Sequence, residues 1–388
     1  MANTIKETLL STCLNGKEVL NNLKVLKEVS NEKLVHKNHA DDIVSKLHQP
    51  ILHLVVVEII DTLKGAKTFR FASKDGYLPI FESGQYINIF TEIDGVRTSR
   101  PYSLSSSCLQ RAYYEVTIAR INDGFVSSYF LDKVKVGDEF EANGPSGVFR
   151  FNGAFHQKKS LFLAGGSGIT PFMSMTREVL EANLDRDIVL IYGSNDEKNA
   201  LFHEELTYLS KVHPNFKYHL ILSNDQDNPN FEKGFITKEL IARLVPDYMD
   251  YTCYICGPQV MNSFCVKQLE ELNVPSRRIK REMFSSSKNV VLEPGWPKEL
   301  TGEEEFNIKI NDQVIKAKAN ESILTALEKN KIRINVCCRS GECSLCRVKL
   351  ISGKVFLAKG ILLRKADEKY GYIHSCKAYP ISDIEIKL

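Results

Sequence analysis

Four cysteines near the C-terminus have a spacing that could hold a metal centre. Cys338, Cys343 and Cys346 follow the pattern C-x4-C-x2-C, and Cys376 lies thirty residues further along the chain. A disulfide, a zinc ion and an iron–sulfur cluster all use clustered cysteines. Structural zinc sites usually show two short C-x2–4-C pairs, whereas this segment has one such pair and one further cysteine upstream. The spacing therefore favours a two-iron cluster over zinc.

The residues between these cysteines suit a tight loop around two iron atoms. Ser340, Gly341 and Ser344 are small, so backbone N–H groups can approach the sulfur atoms of a cluster and donate hydrogen bonds to them. Cys337 directly precedes the first candidate ligand. We predict that it is a buried small residue and not a fifth ligand.

A glycine-rich turn, LFLAGGSGITPF, is a candidate for binding a dinucleotide. Gly165, Gly166 and Gly168 have no side chain, so the backbone can approach a ligand closely there. We predict that Thr170 caps the following helix and that Pro171 occupies its first position. Pro171 stands where the G-x-G-x-x-G fingerprint has its last glycine, and no Gly-Lys-Ser/Thr follows, so the turn matches neither that fingerprint nor a P-loop.

The run SRPYSLSSS places three cofactor-binding groups along one extended segment. Arg100 offers a partner for phosphate, Tyr102 a ring for stacking, and Ser103 a hydroxyl donor. This pattern is weak by itself because many strands contain tyrosine and serine.

The elements that must position these residues differ along the chain. Residues 51–155 contain short β-branched and aromatic runs between turns, which predicts an antiparallel barrel or sandwich. Residues 156–284 alternate buried strands with helices, which predicts a parallel sheet covered on both faces. Residues 285–302 have the composition of a linker. Residues 303–388 form a compact α+β module, and residues 1–50 are predicted to be a polar helical extension.

The composition excludes several classes of protein. The 388 residues are 43% hydrophobic and 26% charged with a net charge of +3, which fits two to four globular domains and gives no reason to expect nucleic acid. No apolar run is long enough to cross a bilayer, so we expect no membrane insertion. The N-terminus carries Glu7 and Glu18 and does not resemble a secretory signal. We therefore expect a reducing cytoplasm, where clustered cysteines hold metal more often than disulfides.

Residues 303–388 resemble the plant-type [2Fe–2S] ferredoxin domain, which has a β-grasp fold. The segments ESILTALEKNKIRINVCCRSGECSLCRVKLISGKVF and YGYIHSCKAYPISDIEIKL match its helix, cluster loop and closing strand in order. The resemblance implies that Cys338, Cys343, Cys346 and Cys376 bind the cluster. Ser344 departs from the family, which often has glycine there. This module has 16 basic against 11 acidic residues, so we expect an acceptor protein with an acidic surface.

Residues 51–388 as a whole resemble the ferredoxin–NADP reductase superfamily with a fused ferredoxin domain. The segments SRPYSLSSS, INDGFVSSYF, LFLAGGSGITPF and YICGPQVM stand in the superfamily's order. The resemblance implies a flavin on the barrel, with phosphate at a helix N-terminus. An aromatic residue near the end of the second domain stacks on the flavin in some relatives, and ordinary packing is the alternative for it here. The flavin-binding residues so implied are Arg100, Pro101, Tyr102, Ser103, Phe125, Val126, Ser127 and, for the stacking ring, Phe284.

The same resemblance implies a nicotinamide site on the α/β domain. Cys256 would lie beside the nicotinamide C4, with Thr170 lining the approach and Ser103 bonding near the flavin N5; these three are the implied catalytic residues. The loop GSNDEKN is more acidic than basic, which favours NADH over NADPH. Fused reductases of this order use FAD or FMN, and the Ser127 segment with GPSGVF favours FAD. The implied dinucleotide-binding residues are Gly165, Gly166, Ser167, Gly168, Thr170, Pro171, Ser194, Asp196, Cys256, Gly257 and Pro258.

These parts predict an electron-transfer reductase. A hydride passes from NADH to FAD, and single electrons then pass through the [2Fe–2S] cluster to a protein acceptor such as an oxygenase or a hybrid-cluster protein. A stand-alone reductase of a quinone, a nitro compound or a ferric chelate is one alternative. A redox module whose N-terminal helices, in residues 1–50, dock a partner complex is another. The sequence leaves the oligomeric state open.

Overall fold

The chain divides into two units, residues 1–50 and residues 51–388. In the first unit a single helix is described, α1 (Gly16–Asn31), with Glu18 in its first turn. No described helix is both long and apolar enough to cross a membrane. The computed structural model describes residues 16–31 (side chains only to 25), 49–122, 124–224, 230–283, 289–358 and 361–388.

The first domain of the second unit is a six-stranded antiparallel barrel. Its strands run in the order β4-β3-β6-β1-β2-β5, and a bridge between Leu104 and Val116 joins the two edges. Buried and exposed residues alternate along β1, as expected for a strand with one face in the core. The elements are β1 (Leu52–Leu63), β2 (Ala66–Ser73), β3 (Tyr86–Ile93), β4 (Val96–Ser103), β5 (Tyr114–Ala119), α2 (Phe125–Asp132) and β6 (Glu139–Ser146).

The second domain is a parallel sheet with a hydrophobic core on each face. Because both faces are covered, its strands are continuous apolar runs and not alternating ones. The strand order is β10-β9-β8-β7-β11-β12. The elements are β7 (Lys159–Gly165), α3 (Thr170–Glu181), β8 (Asp187–Ser194), α4 (His203–Val212), β9 (Phe216–Leu222), β10 (Glu232–Lys233), α5 (Lys238–Leu244), β11 (Tyr251–Cys256), α6 (Gln259–Glu271) and β12 (Ile279–Glu282).

The third domain is a mixed five-stranded sheet of order β14-β13-β19-β15-β17, with a separate pair β16–β18. The side chain of Ser322 caps its main helix by accepting a hydrogen bond from the amide of Thr325. The elements are β13 (Glu305–Ile310), β14 (Gln313–Lys318), α7 (Ile323–Lys329), β15 (Arg347–Ser352), β16 (Val355–Leu357), α8 (Lys365–Lys369), β17 (Tyr372–His374), β18 (Ala378–Pro380) and β19 (Ile384–Lys387).

The described part of the segment predicted as a linker packs against the third domain. Val290 and Trp296 form a small core with Phe356 and Tyr379, and the rings of Trp296 and Phe356 are 5.2 Å apart. The Trp296 indole N–H donates to the carbonyl oxygen of Leu300. The only tryptophan of the chain therefore anchors this segment to the ferredoxin-like domain.

Candidate functional site

The predicted cluster ligands lie in a loop whose backbone turns back on itself. Cys338, Cys346 and Cys376 are buried, and Cys343 is partly exposed. The Sγ atom of Cys338 accepts hydrogen bonds from the amides of Ser340, at 3.4 Å, and Cys343, at 3.3 Å. This is the N–H···S arrangement that the small residues of the loop predict. Ser344 has a φ of 60°, the left-handed conformation that glycine adopts without strain, which is consistent with the glycine that the ferredoxin resemblance implies at this position.

The four thiols form two pairs. The Cys343 side chain hydrogen-bonds to Cys338 and lowers the pKa of Cys338, and the Cys376 side chain likewise lowers the pKa of Cys346. A zinc ion would need four ligands around a single position, whereas a [2Fe–2S] cluster takes two from each side. The arrangement fits the two-iron cluster.

The predicted flavin strand is β4. Ser103 is buried at 6% exposure, and the Tyr102 ring packs edge-on against Phe130. The Arg100 Nη1 donates to the Thr98 hydroxyl at 2.9 Å and to the Ser99 carbonyl oxygen at 2.7 Å. Burial, with Arg339 nearby, lowers the pKa of Arg100 to about 10. Arg100 has no ion pair with any described carboxylate, so the residues present fit an anionic group such as a flavin phosphate.

Helix α2 supplies the second predicted phosphate contact. Its N-cap residue, Gly124, makes no side-chain capping bond, so N–H groups of the first turn face outward. A Cβ atom at Gly124 would lie 2.3 Å from the Ser127 hydroxyl oxygen, so only glycine fits there. That hydroxyl accepts a hydrogen bond from the Ile121 amide at 3.2 Å. Val126 is buried and Phe125 is exposed.

The glycine-rich turn, the predicted dinucleotide site, contacts the end of β11. A Cβ atom at Gly168 would lie 2.3 Å from the Cys256 carbonyl oxygen, and one at Gly257 would lie 3.2 Å from the Gly165 amide nitrogen. These glycines are therefore needed for packing between two strand ends. Gly166 differs, because its φ is 53° and nothing lies within 4 Å of its Cβ position. Gly166 is the glycine of this turn that faces open space.

The predicted cap of helix α3 is wrong. The N-cap residue is Ile169, and it makes no side-chain capping bond. The Thr170 hydroxyl instead donates to the Ser167 carbonyl oxygen at 2.8 Å, because a turn of 3-10 helix (Gly166–Ile169) leads directly into α3. Pro171, predicted at the first helical position, is the second residue of the helix, because α3 begins at Thr170.

Cys256 lies at the carboxyl end of β11 and is fully buried. Burial raises its pKa well above the ordinary thiol value, so the side chain is a neutral thiol. Its neighbour on β12 is Glu282, which sequence reasoning missed. Burial, with Glu342 nearby, raises the pKa of Glu282 well above its usual value, and the Asn262 amide donates to the Glu282 carbonyl oxygen at 3.1 Å. A signal was present, since Glu282 stands only two residues before Phe284, the predicted stacking residue.

Three other predicted residues have different outcomes. The Asp196 carboxylate accepts hydrogen bonds from Asn199, at 2.9 Å from the amide and 2.6 Å from the side chain, so it caps a short turn of 3-10 helix (Glu197–Asn199). The Ser194 hydroxyl donates to the Asp196 carbonyl oxygen at 2.8 Å. Phe284 lies outside the described residues.

The barrel contacts both other domains close to β4. After β4, the carbonyl oxygens of Ser105 and Ser106 accept hydrogen bonds from Arg177, at 2.8 Å, and Ser174, at 2.7 Å, on α3. On β3, the Asn88 side chain donates to the Val336 carbonyl oxygen, in the cluster loop, at 3.1 Å.

Cys337 belongs to the contact between the barrel and the cluster loop. It is buried at 2% exposure, as predicted. Its thiol lies 3.8 Å from the Tyr86 hydroxyl of the barrel. Tyr86 belongs to one buried cluster with both Cys337 and Cys338. The barrel therefore contacts the cluster loop directly beside a predicted ligand, Cys338.

Comparison with known proteins gives three matches in order along the chain. They are the oxidoreductase FAD-binding domain at residues 54–151, the oxidoreductase NAD-binding domain at residues 162–267, and the 2Fe-2S iron-sulfur cluster binding domain at residues 306–380. NADH-cytochrome b5 reductase 1 of Dictyostelium discoideum is 34% identical over 211 residues, which is 53% of this chain and 72% of that protein. The chain belongs to the ferredoxin–NADP reductase superfamily and has a fused [2Fe–2S] ferredoxin domain.

Two other relatives match this reductase over nearly their whole length. The glycine betaine monooxygenase reductase subunit of Chromohalobacter salexigens is 27% identical over 348 residues, 85% of this chain and 94% of that protein. The structure of phthalate dioxygenase reductase matches with a TM-score of 0.66 and 26% identity, covering 87% of this chain and 98% of the other. The predicted fold class and the predicted cofactors FAD, NADH and [2Fe–2S] are confirmed.

Proposed function

We propose that this reductase carries electrons from NADH, through FAD and the [2Fe–2S] cluster, to a separate redox protein. The observation that carries the proposal is the direct contact of the cluster loop with the flavin-binding barrel, where Asn88 bonds to Val336 and Cys337 touches Tyr86. Two of the relatives are named as reductases of a monooxygenase and a dioxygenase. An oxygenase component is therefore the acceptor class we propose.

The side chains around the proposed hydride-transfer site are buried and uncharged. FAD, when bound, accepts the hydride of NADH, and the cluster transfers electrons singly. Ser103, Thr170 and Cys256 are 6%, 4% and 0% exposed, so the protein's contribution is to orient the two rings and exclude water. Cys256 and Glu282 both hold their protons, so neither places a negative charge beside the nicotinamide.

The surface near the cluster indicates where an acceptor would approach. Leu345, next to the proposed ligand Cys346, is 48% exposed, and Leu362 is 60% exposed. The surrounding domain has an excess of basic residues, 16 against 11 acidic. Apolar side chains within a basic surface fit an acceptor with an acidic rim around its own redox centre. The docking role proposed for residues 1–50 stays a prediction.

We also propose a cytoplasmic location and a preference for NADH over NADPH. None of the nine described cysteines forms a disulfide, which supports a reducing compartment. In the loop after β8, Asp196 and Glu197 outnumber Lys198, and this acidic balance disfavours a 2′-phosphate. A comparison of kcat/KM for the two dinucleotides tests the preference.

The electron order is tested with two neighbouring cysteine variants. C343S should lose the absorption bands and the iron of the cluster, and it should lose reduction of a protein acceptor, but it should keep NADH-dependent reduction of ferricyanide. C337S is the matched control and should keep about two irons per chain, the number in a [2Fe–2S] cluster. If C343S with bound FAD loses all NADH oxidation, the proposed order is wrong. If C337S loses the cluster, the ligand assignment is wrong.

A further inference from the structure

Four side chains from two domains meet at the hydroxyl group of Thr98. The Arg100 Nη1 donates to this oxygen at 2.9 Å, and the Arg339 Nη2 donates to it at 3.1 Å. The hydroxyl itself donates to the Glu328 Oε2 at 3.2 Å. Thr98 and Arg100 belong to the flavin strand β4, Glu328 to helix α7, and Arg339 to the cluster loop. We call these four residues the Thr98 network.

The Thr98 network has more positive than negative charge. Arg339 forms an ion pair with Glu328, and their side chains are only 11% and 13% exposed. Arg100 forms no ion pair with a described carboxylate, although it bonds to the same hydroxyl as Arg339. Two guanidinium groups therefore share one carboxylate in a site that is largely shielded from water, where an uncompensated charge is costly. An anion would offset this charge.

The Thr98 network also has hydrogen-bond donors that are not used. The buried Nε of Arg339 has no acceptor among the described residues. Arg100 uses only its Nη1 for hydrogen bonds within the described part of the chain. Unused guanidinium donors from both domains thus lie around one hydroxyl, and guanidinium groups pair well with phosphate oxygens.

We propose that Arg339 of the ferredoxin domain is a second cationic residue of the flavin-phosphate site, so that FAD binding and docking of the cluster loop stabilise each other. This inference rests on the proposed function and on the prediction that Arg100 binds the flavin phosphate. The phosphate supplies the negative charge that the Thr98 network lacks. Because linkage is reciprocal, FAD must tighten docking by the same factor by which docking tightens FAD.

A flavin titration of the full-length protein tests the proposal. FAD is removed, and the fluorescence quenching of added FAD or riboflavin gives the dissociation constants. R339Q should weaken FAD by about tenfold, the loss expected for one charge-assisted hydrogen bond, and R339K should recover most of that affinity. R339Q should not change the affinity for riboflavin, which lacks the phosphate. The control R364Q removes an exposed arginine paired with Asp367 on the same domain and should bind FAD like the wild type.

Two results would overturn the inference. One is an unchanged FAD affinity in R339Q when R100Q has weakened FAD, which would leave the Arg100 assignment intact. The other is an equal loss of FAD and riboflavin affinity in R339Q, which would indicate a general structural defect. Unchanged FAD affinity in R100Q would instead contradict the flavin-phosphate site of the proposed function.

Reciprocity provides a second measurement that does not depend on enzyme activity. FAD should slow hydrogen exchange at the amides of residues 336–340 in the wild-type protein with its cluster. R339Q should lose most of this protection, and R364Q should keep it. Equal protection by FAD in the wild type and R339Q contradicts the coupling.

Discussion

The barrel contacts the nicotinamide domain and the ferredoxin domain in different ways. On the nicotinamide side, Phe149 of the barrel end and Phe172 of α3 belong to one large hydrophobic cluster. On the ferredoxin side, the apolar contact is limited to small clusters around Phe90 and Tyr86, and the Thr98 network is polar. Hydride transfer needs two rings held in close and fixed contact, which a core-like interface provides. A polar contact of limited area is typical of domains that move relative to each other.

Buried carboxyl groups show the same contrast. Glu115 lies between the barrel and α3, where Arg177 donates to it at 2.7 Å and Arg70 at 3.1 Å. Glu282 lies beside the cluster loop, where its neighbour is another carboxyl group, Glu342. Glu115 is therefore a buried anion with two cationic partners, whereas Glu282 is kept neutral.

The largest effect is expected at the nicotinamide interface. R177M should lower the free energy of unfolding by about 3 kcal/mol, because it removes one partner of a buried carboxylate. Chemical denaturation of the FAD-loaded protein measures this loss. The control R120M removes an exposed ion pair with Asp132 and should cost less than about 1 kcal/mol. Equal losses in the two variants would mean that the buried Arg177–Glu115 pair contributes no more stability than the exposed Arg120–Asp132 pair.

The pH dependence of the same variant gives an independent check. Burial acts to raise the pKa of Glu115, but Arg177 and Arg70 hold it below its ordinary value of 4.5. The stabilisation is therefore complete above pH 4.5 and is lost as the pH falls below it. R177M should lose less stability than the wild type over this acidic range.

The second-largest effect is expected at Glu282, where a substitution should raise the free energy of unfolding and not lower it. Because its pKa is raised by burial, the folded protein keeps a proton that the unfolded chain releases above about pH 4.3. The wild type should therefore lose stability as the pH rises from 5 to 8, until the pKa of the folded state is passed. E282Q should abolish this loss and be more stable than the wild type at pH 7, because glutamine has no proton to lose.

Melting temperatures between pH 5 and 8 measure this difference. The control E299Q changes an exposed glutamate and should keep the pH dependence of the wild type. An unchanged pH slope in E282Q would show that Glu282 is ionised in the folded protein.

A smaller effect is expected where the barrel meets the cluster loop. N88L leaves the Val336 carbonyl oxygen without its donor, which should weaken docking by about 1–2 kcal/mol. Stopped-flow measurements with NADH should show slower reduction of the cluster and unchanged reduction of ferricyanide. The control N215L removes a comparable bond to the Arg186 carbonyl oxygen, within the nicotinamide domain, and should leave the cluster reduction rate unchanged.

The smallest effect concerns the cluster loop alone. S344G should raise the free energy of unfolding by up to about 1 kcal/mol, because a non-glycine residue at a positive φ is strained, while the added freedom of the unfolded chain offsets part of the gain. Denaturation of the cluster-loaded protein measures the change. A loss of stability would mean that the Ser344 side chain contributes more than its backbone strain costs.

The sequence alone determined the domain order, the fold class and the cofactor set. These depend on local patterns, such as the spacing of Cys338, Cys343 and Cys346 or the glycines before Pro171. Local backbone geometry brings residues a few positions apart close together, so such patterns can be interpreted before the tertiary structure is known. Local interpretation was wrong at Thr170, where a turn of 3-10 helix redirects the hydroxyl group.

Only the tertiary structure showed which distant residues meet. Arg339 and Thr98 are 241 positions apart, and no periodicity links them. The pKa of Glu282 is raised by burial and by Glu342 in the cluster loop, and Cys337 is understood only from its contact with Tyr86. Charge compensation and burial depend on packing between domains, so the contact between β4 and Arg339 could not be predicted from the sequence.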